Sequence, residues 1–557
     1  MTGSLSTQDR VRQALDDAGK ALLAAARPGS WPNPRRPAVS GAAGAVLALH
    51  VADPDRSADL IADGVDWLVR AQNDDGGWGT LEHLPSDFVA TAMATAALRL
   101  VAGESGAEAV ARGLGWIRRR GGVEGLDDPM MAQLTGLVLS IAGLYDANRL
   151  RRVPVELLLL PARLRRRLLS YLTPPFVALA FMQARQRRHG RLARAVERLA
   201  RPVAVRLLEE FFRQEGESGS YGGDPWLTGL VCTALSRANA APHLVRASVG
   251  YLRATAQPGG AWHLVHGVER DRVEVTGMAF SVHGLVRAGL ADDARVLAGR
   301  DWLARCQQRE PSVVYASPAG AWTWTGRTGW PNALETVLVL RILVDTERDE
   351  ETDRILDRGV AWLRAQQDNR GSWSTFVRNS LVPLDGPCPF ITAVAVEILH
   401  AVGVSTADPV IERALRWLAK SQAPDGSFEA RWHRGGVPAT AAVVHALSRL
   451  GMSGHPVAIR ARDWLLASQR DDGSWSDGRG DGTPDETGHA ISALVACGQH
   501  EAARRGVEWL VAAQGPDGWW EPGQCCIYIR DHVHYCDPLI AQGLAVGALA
   551  AFGGGGR

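Results

Sequence analysis

The stretch Trp417-Leu-Ala-Lys-Ser-Gln422-Ala-Pro-Asp-Gly426-Ser-Phe428 decides the fold of this chain, because variants of it recur along the sequence. In each copy an aromatic and an aliphatic residue are followed by a Gln, then by a Gly, and then by a second aromatic residue. Five copies are intact, and they begin at Trp67, Trp362, Trp417, Trp464 and Trp509. Looser copies begin at Tyr251 and Trp302. Self-similarity at a fixed spacing indicates a repeat architecture.

Each repeat predicts a pair of helices joined by a tight turn. The amphipathic stretch Ile411–Ser421 predicts the first helix, the residues Ala423–Gly426 predict the turn, and the Ala- and Val-rich stretch Thr440–Leu450 predicts the second helix. One such pair cannot bury its apolar face alone, whereas a ring of pairs can. The sequence therefore predicts an all-α protein built as α/α barrels, in which the Gln bonds to the backbone of a neighbouring helix and the Trp packs over it.

This Gln/Trp (QW) repeat resembles the signature of the squalene–hopene and oxidosqualene cyclases and of the related class II terpene cyclases. The resemblance runs over nearly the whole chain and includes Gly121–Glu124, Val153–Pro161 and Trp322–Trp324. It implies two α/α barrels, one inserted into the other. Residues 1–20 and 270–557 are expected to form the main barrel, and residues 21–269 the inserted one.

Composition excludes several classes of protein. The 557 residues carry 61 Lys and Arg against 60 Asp and Glu, and so balanced a chain is not a general nucleic-acid binder. Seven Cys in so long a chain indicate a reducing compartment and no disulfide framework. The first residues lack an apolar leader, and the apolar runs fall short of the ~18–20 residues that span a bilayer. We expect a cytoplasmic protein.

A basic segment, residues 150–206, interleaves many Arg with short apolar pieces such as Leu157–Leu160 and Pro174–Met182. Arginines beside apolar stretches are typical of a contact with the surface of an anionic membrane. The alternative is a solvated basic helix that covers a junction between barrels. Since the resemblance implies a membrane-contacting surface in this region, we expect peripheral attachment to the inner face of the membrane.

The acid that the family uses is missing from its usual place. Enzymes of this kind protonate an alkene or epoxide with a dry carboxylic acid from an Asp-x-Asp-Asp motif at the start of an inner helix. The matching stretch here places Asn332 at the first Asp, Leu334 at the acid itself, and Glu335 at the third Asp. Val394 stands where the family often has a supporting His. The supporting Tyr of the family is replaced near Pro438.

Acidic residues remain at the starts of two predicted inner helices of the main barrel. Glu335 is one candidate acid, and its alternative role is a Glu favoured by the helix dipole. The pair Asp485 and Glu486 is the other candidate, with His489 one turn further along the same helix. Here the alternative is helix capping, with Thr483 or Asp485 as the N-cap and Glu486 in the first turn. Asp87, placed similarly in the inserted barrel, is expected to be a cap.

The stretch Cys525–Asp537 is dense in Cys, His and Asp. Protein prenyltransferases share the α/α barrel and hold Zn²⁺ with Asp, Cys and His, but their Asp-x-Cys pair has no counterpart here. No Cys-x-x-Cys pair and no Asp-rich motif for Mg²⁺ and diphosphate occurs in the sequence. The sequence predicts no metal and no cofactor.

Aromatic residues cluster around the predicted barrel rim. Ring faces stabilise cationic carbon, and an aromatic-lined pocket suits an isoprenoid chain. The candidate substrate-binding residues are Trp322, Trp324, Trp330, Phe390, Trp432, Tyr528 and Tyr535. Ordinary core packing is the alternative for some of the 19 Trp.

Three functions stay open at this point. The chain is predicted to be a cyclase of a polyprenyl substrate, either a squalene-like hydrocarbon or a prenyl diphosphate, with a non-standard acid. The alternatives are a non-catalytic isoprenoid-binding protein and, third, a prenyltransferase on the same fold. The sequence leaves the oligomeric state open, with a homodimer among the options.

Overall fold

Nearly all the regular structure is helical in this computed structural model, which describes residues 6–27, 29–32, 37–186, 191–265, 274–478, 480–529 and 532–554. The side chains of residues 186, 191–194 and 528 lie outside that description. The first helices are α1 Thr7–Ala24, α2 Val39–Ala52, α3 Ala58–Arg70, α4 Phe88–Val101, α5 Ala107–Arg119, α6 Pro129–Ile141, α7 Ala162–Arg166, α8 Thr173–Gln186, α9 Arg191–Gln214, α10 Pro225–Arg237 and α11 Pro242–Ala254.

The remaining elements are α12 Val275–Arg287, α13 Ala294–Arg305, α14 Ala333–Val344, α15 Glu350–Gln366, α16 Pro389–Ala401, α17 Pro409–Ser421, α18 Val437–Arg449, α19 Pro456–Ala467, α20 Pro484–Ala496, α21 His500–Ala513 and α22 Pro538–Gly553. Two short antiparallel strands, β1 Cys526–Ile529 and β2 Val533–Tyr535, precede α22. Short 3₁₀ helices span Val123–Gly125, Ala147–Arg149, Val155–Leu159 and Pro383–Asp385.

The chain divides into two compact units. The first unit comprises Met1–Pro34, Glu269–Arg327 and Pro331–Arg557, and the second comprises Arg35–Val268 with Thr328–Trp330. The second unit is therefore inserted into the sequence of the first. The first boundary lies at Pro34 and not near residue 20, because all of α1 belongs to the first unit and the buried Trp31 donates its indole N–H to Leu22.

Six helices of the first unit close into an inner ring. Each of α12, α14, α16, α18 and α20 packs against the next even-numbered helix, and α22 packs back against α12. The contact between α22 and α12 is close enough to require glycine, because a Cβ on Gly284 would lie 2.4 Å from the carbonyl oxygen of Gly543. The ring therefore closes through direct backbone contact.

The outer helices of the first unit are α1, α13, α15, α17, α19 and α21, and each packs on one or two inner helices. Since inner and outer helices alternate along the chain, all six inner helices run in the same direction. Their first residues consequently meet at one end of the ring, which we call the N-terminal rim. The opposite end carries their last residues.

The repeat residues connect neighbouring outer helices. Five of the repeat Gln residues donate their side-chain N–H both to the turn Gly and to a carbonyl in the first turns of the next outer helix: Gln72 to Ala109, Gln307 to Ile355, Gln367 to Val410, Gln422 to Val457, and Gln469 to Ala502. Gln514 donates to Ala14 in α1, at 2.9 Å, which closes the outer ring. The Trp that follows the turn in a repeat donates its indole N–H to a Leu carbonyl in the outer helix of the same repeat.

The second unit is a smaller ring of the same kind. Its inner helices α2, α4, α6, α8 and α10 pack in a closed cycle, and α3, α5, α9 and α11 lie outside them. The fold is therefore all-α, with two α/α barrels of which one is inserted into the other. The predicted helices over 411–421 and 440–450 are confirmed as α17 and α18, which begin two and three residues earlier.

Candidate active site

The N-terminal rim of the first unit holds the acidic candidates. Glu335 lies in the first turn of α14, and Asp485 and Glu486 lie in the first turn of α20. In the ring order, α14 and α20 are opposite one another. The structure therefore separates Glu335 from the pair Asp485 and Glu486 and places them on opposite sides of one rim.

Glu335 is buried and hydrogen-bonded. Thr276 on α12 donates its hydroxyl to Glu335 Oε1 at 2.6 Å, and Asn332, the N-cap of α14, accepts the backbone N–H of Glu335 at 3.0 Å. Burial is the main influence on this carboxyl and raises its pKa, while the hydroxyl of Thr276 acts in the opposite direction. Glu335 is thus a single acid with a defined hydrogen-bond donor.

Asp485 is the second buried acid of the rim. Its side chain is fully buried, and its Oδ2 accepts the backbone N–H of Gly523 at 2.8 Å. Among the described residues its Oδ1 has no hydrogen-bond partner. Burial raises the pKa of Asp485 to about 7, and the nearby carboxylate of Asp537 acts in the same direction.

Glu486 takes part in capping the helix. Thr483 is the N-cap of α20: its hydroxyl oxygen accepts the backbone N–H of Glu486 at 3.3 Å, and the same hydroxyl donates to Glu486 Oε2. Burial, and then the charge of Asp485, raise the pKa of Glu486 well above its ordinary value. Since Thr483 caps the helix, Asp485 is not needed for that purpose.

Two imidazoles and two phenyl rings meet beside this end of α20. The ring of His489, one turn after Asp485, lies 5.7 Å from His433, 5.9 Å from Phe390 and 6.4 Å from Phe280, measured between ring centroids. Burial lowers the pKa of His433 to about 4 and that of His489 well below its ordinary value. Both imidazoles are therefore neutral at pH 7.

A second aromatic cluster lies near the start of α14. Trp324, whose carbonyl accepts the first N–H of α12, meets Phe376 edge-on at 5.5 Å. Phe376 also contacts Trp432 at 6.1 Å and stacks on Tyr315 at 6.0 Å. Trp324 and Trp432 are each partly exposed, as a ring that meets a ligand must be.

The other expected aromatic residues differ in their surroundings. Trp322 is fully buried and donates its indole N–H to Leu303 at 2.6 Å, so its geometry favours a packing role and not substrate contact. Trp330 belongs to the second unit, where it packs edge-on against Phe211. Tyr535 is partly buried in β2. The side chain of Tyr528 lies outside the described residues.

The positions where the family motif is altered belong to the core. Leu334, at the place of the usual acid, is 8% exposed, and Val394 is 2% exposed. Sequence reasoning did not single out Thr276, His433 or Phe376, because their partners are distant in sequence. Among the residues that the structure describes, no group of three or more His, Cys, Asp or Glu is placed to hold a metal ion.

Comparisons with known proteins agree with this architecture. The family profile "Squalene-hopene cyclase N-terminal domain" matches residues 15–170, and the profile "Squalene-hopene cyclase C-terminal domain" matches residues 378–527. The two together match more than half of the chain. A squalene–hopene cyclase of Alicyclobacillus acidocaldarius is 27% identical over 88% of this chain and 89% of its own length.

Solved structures share the fold. ent-Copalyl diphosphate synthase from Streptomyces platensis superposes with a TM-score of 0.61 over 98% of this chain and 100% of its own, at 22% identity. Abietadiene synthase from Abies grandis gives a TM-score of 0.53 over 98% of this chain and 59% of its own, at 13% identity. With its repeats, its paired α/α barrels and both halves matched by the family profiles, the chain belongs to the squalene–hopene cyclase family of class II terpene cyclases.

Proposed function

We propose that this protein cyclises an isoprenoid substrate by protonating a carbon–carbon double bond, with Asp485 as the proton donor in place of the missing family acid. The observation that carries the proposal is the state of Asp485. It is a fully buried carboxyl group with a pKa raised to about 7 and with one oxygen free of hydrogen bonds in the described chain. Such a group holds a proton at neutral pH and can release it to a bound alkene.

The surroundings of Asp485 favour it over Glu335. The charge of Asp537 raises the pKa of Asp485, and the charge of Asp485 raises that of Glu486, so neighbouring carboxyl groups here favour keeping a proton. After the proton leaves, the N–H of Gly523 stabilises the new carboxylate. Glu335, which accepts the hydroxyl of Thr276, is the rival donor.

The rings at the rim supply the second requirement of the reaction. Protonation of an alkene generates a carbocation, which the negative face of an aromatic ring stabilises by ~0.5–2 kcal/mol or more when water is excluded. Trp324 and Trp432 are partly exposed and held by Phe376. Trp432 is fixed further because its indole N–H donates to Thr375 Oγ1 at 2.9 Å. These rings are the proposed lining against which the isoprenoid chain folds.

The substrate class follows from the relatives by analogy. Their names describe cyclisation of squalene and formation of ent-copalyl diphosphate. We therefore propose a polyprenyl substrate, either a hydrocarbon or a prenyl diphosphate. The test is to incubate the purified protein with squalene, farnesyl diphosphate and geranylgeranyl diphosphate, and to identify products by mass spectrometry. A cyclic product that Asp485→Asn does not form supports the proposal, whereas no product from any substrate contradicts it.

A non-catalytic isoprenoid-binding protein is the second candidate, and Leu334 favours it, since an apolar residue stands where the family acid does. In that case no substrate would be consumed. A polyprenyl ligand would still quench or shift the fluorescence of Trp324 and Trp432, and Trp324→Phe would reduce that signal.

We also propose that the second unit attaches to the surface of an anionic membrane. Four exposed leucines support this proposal: Leu157 is 39% exposed, Leu159 44%, Leu164 49% and Leu199 68%. They belong to the 3₁₀ helix Val155–Leu159 and to α7 and α9, which both contact it, and exposed Arg163 lies beside them. No helix among the described residues is long and apolar enough to cross a bilayer.

The membrane proposal can be tested by sedimentation with vesicles that contain phosphatidylserine. The protein should bind at low ionic strength and be partly released by salt, because arginine attraction is screened. Leu159→Glu with Leu164→Glu should abolish binding. Leu381→Glu, at an equally exposed leucine of the first unit, is the matched control and should leave binding unchanged. Equal binding by all variants would contradict the assignment of the surface.

A further inference from the structure

Four consecutive inner helices of the first unit carry a polar side chain at the ninth residue of the helix: His283, Arg341, Glu397 and His445. Because the inner helices run in the same direction, these side chains lie at one level of the ring, which we call the polar layer. Contacts within the layer agree with this, since Glu397 lies 3.4 Å from Arg341 and 3.0 Å from His445. The layer lies about 10 Å further along the ring than Asp485, the second residue of α20, because a helix rises ~1.5 Å per residue.

A cavity of about 70 Å³ adjoins the polar layer. Arg341, His283 and His445 of the layer line it, and so does Arg287, the last residue of α12. Arg287 is exposed to solvent, so the cavity opens toward the end of the ring opposite the N-terminal rim. The described residues that line the cavity supply two guanidinium groups and no carboxylate.

Positive charge exceeds negative charge around this cavity. The charges of Arg341 and Arg449 act on Arg287 and oppose its own charge, whereas those of Asp345 and Glu397 attract it. Three guanidinium groups, always charged in proteins, therefore share two carboxylates. Such a cluster keeps an uncompensated positive charge, and an anion from solvent can balance it.

The two carboxylates are engaged by other groups and do not line the cavity. Glu397 contacts Arg341 and His445, and Asp345 lies 3.4 Å from His283. Burial raises the pKa of Glu397, but the charges of Arg341 and His445 outweigh it and hold that pKa below its ordinary value. Arg341, by contrast, keeps an unused donor, because its Nε has no hydrogen-bond partner among the described residues. The hydrogen-bonding capacity left over in this cluster is that of a cation.

We propose that this cavity binds a single tetrahedral oxyanion of the phosphate type, held by Arg287 and Arg341. The volume has room for roughly five water molecules at 10–15 Å³ each, which suits one phosphorus with its four oxygens. Guanidinium groups recognise such oxygens through paired N–H donors. The bound anion bridges α12 and α14, which are neighbours in the inner ring, and so stabilises the folded state. The site is separate from the candidate acids and does not depend on turnover.

The test is isothermal titration calorimetry of the full chain with inorganic phosphate, in chloride buffer at constant ionic strength. The parent should bind phosphate saturably, and its unfolding temperature should rise with phosphate concentration. Arg287→Gln should weaken binding by roughly tenfold or more, because it removes charge-assisted hydrogen bonds. Arg237→Gln is the matched control and should leave the affinity unchanged, since Arg237 is the last residue of α10, an inner helix of the second unit.

Arg341→Lys is a second variant that keeps a positive charge beside Glu397 but loses the planar pair of donors, so it should also bind phosphate more weakly. If it does not fold, Arg287→Gln decides alone. Inorganic diphosphate tests the size of the site, and it should bind more weakly than phosphate because the cavity holds one tetrahedral group.

Three results would overturn the proposal. The first is a parent that shows no saturable phosphate binding. The second is an affinity that Arg287→Gln leaves unchanged, or that Arg237→Gln lowers as much, because the phosphate would then bind to arginines elsewhere. The third is tighter binding of diphosphate than of phosphate, which would assign the cavity to a larger group such as the head group of a prenyl diphosphate.

Discussion

Asp485 in the first unit and Asp87 in the second occupy similar places, at the start of an inner helix, yet the structure uses them differently. Asp87 is the N-cap of α4: it accepts the backbone N–H of Ala90 and the hydroxyl of Thr80, both at 2.8 Å. Asp485 leaves capping to Thr483 and keeps one oxygen without a partner in the described chain. Burial raises the pKa of each to about 7.

The comparison shows that a raised pKa alone does not distinguish the proposed acid, Asp485, from a helix cap. Both carboxyls are desolvated, but the oxygens of Asp87 are both engaged in holding a helix start. What distinguishes Asp485 is the unused oxygen, the neighbouring carboxyl groups and the histidine one turn away. The proposed role of Asp485 therefore rests on the carboxyl oxygen that its described surroundings leave without a hydrogen bond.

The largest effect is expected on catalysis. Asp485→Asn keeps the size of the side chain and an oxygen that can accept the N–H of Gly523, but it removes the proton. Product formation should fall by ~10²-fold or more, the usual contribution of general acid catalysis. Asp87→Asn, the matched change in the second unit, should leave product formation unchanged. Loss of activity in Glu335→Gln, with full activity in Asp485→Asn, would assign the donor to Glu335 instead.

A substitution of Gly523 tests how strongly activity and stability depend on the hydrogen bond that Gly523 donates to Asp485. A Cβ at residue 523 would lie 2.6 Å from Cγ2 of Thr483, so Gly523→Ala must push the chain away from the start of α20. We expect a loss of ~1–3 kcal/mol in the free energy of unfolding, typical of overpacking, together with reduced activity. Denaturant titration and a product assay measure the two effects. Unchanged stability would show that the loop adjusts without cost.

The pH dependence of stability should reveal both acids, Asp485 and Asp87. Each has a folded-state pKa of about 7 against an ordinary value of 3.8, so the folded state keeps a proton that the unfolded state has lost. Stability should consequently fall as pH rises from about 4 to 7, by at most ~1.4 kcal/mol per pH unit for each group. Asp485→Asn and Asp87→Asn should each flatten the slope in urea titrations. A slope that neither variant changes would contradict these protonation states.

The smallest effect concerns the cap of the second unit. Asp87→Ala removes the acceptor for Ala90 and should cost about 1 kcal/mol of stability, the usual value for an N-cap. Activity should be retained at temperatures where the variant stays folded. Differential scanning calorimetry with a parallel product assay checks both statements. A loss of activity without a loss of stability would mean that Asp87 has a role beyond capping.

Local sequence patterns determined the repeating helices and the α/α architecture, since amphipathic periodicity, turn residues and the Gln/Trp spacing all act over short distances. They also placed Glu335 and the pair Asp485 and Glu486 at the starts of inner helices. The sequence patterns did not predict which residue caps α20 or which aromatic residues are exposed. The inserted unit begins after Pro34 and not near residue 20, because α1 joins the first unit through a contact with the distant Gln514.

The tertiary structure alone determines which groups surround Asp485. Gly523, which donates its backbone N–H to Asp485, lies 38 residues further along the chain. His433, Phe390 and Phe280 reach His489 from three other segments that flank or form inner helices. The physical reason is that burial and unsatisfied hydrogen bonds depend on which segments the closed ring brings together, and the spacing of residues along one helix does not contain that information.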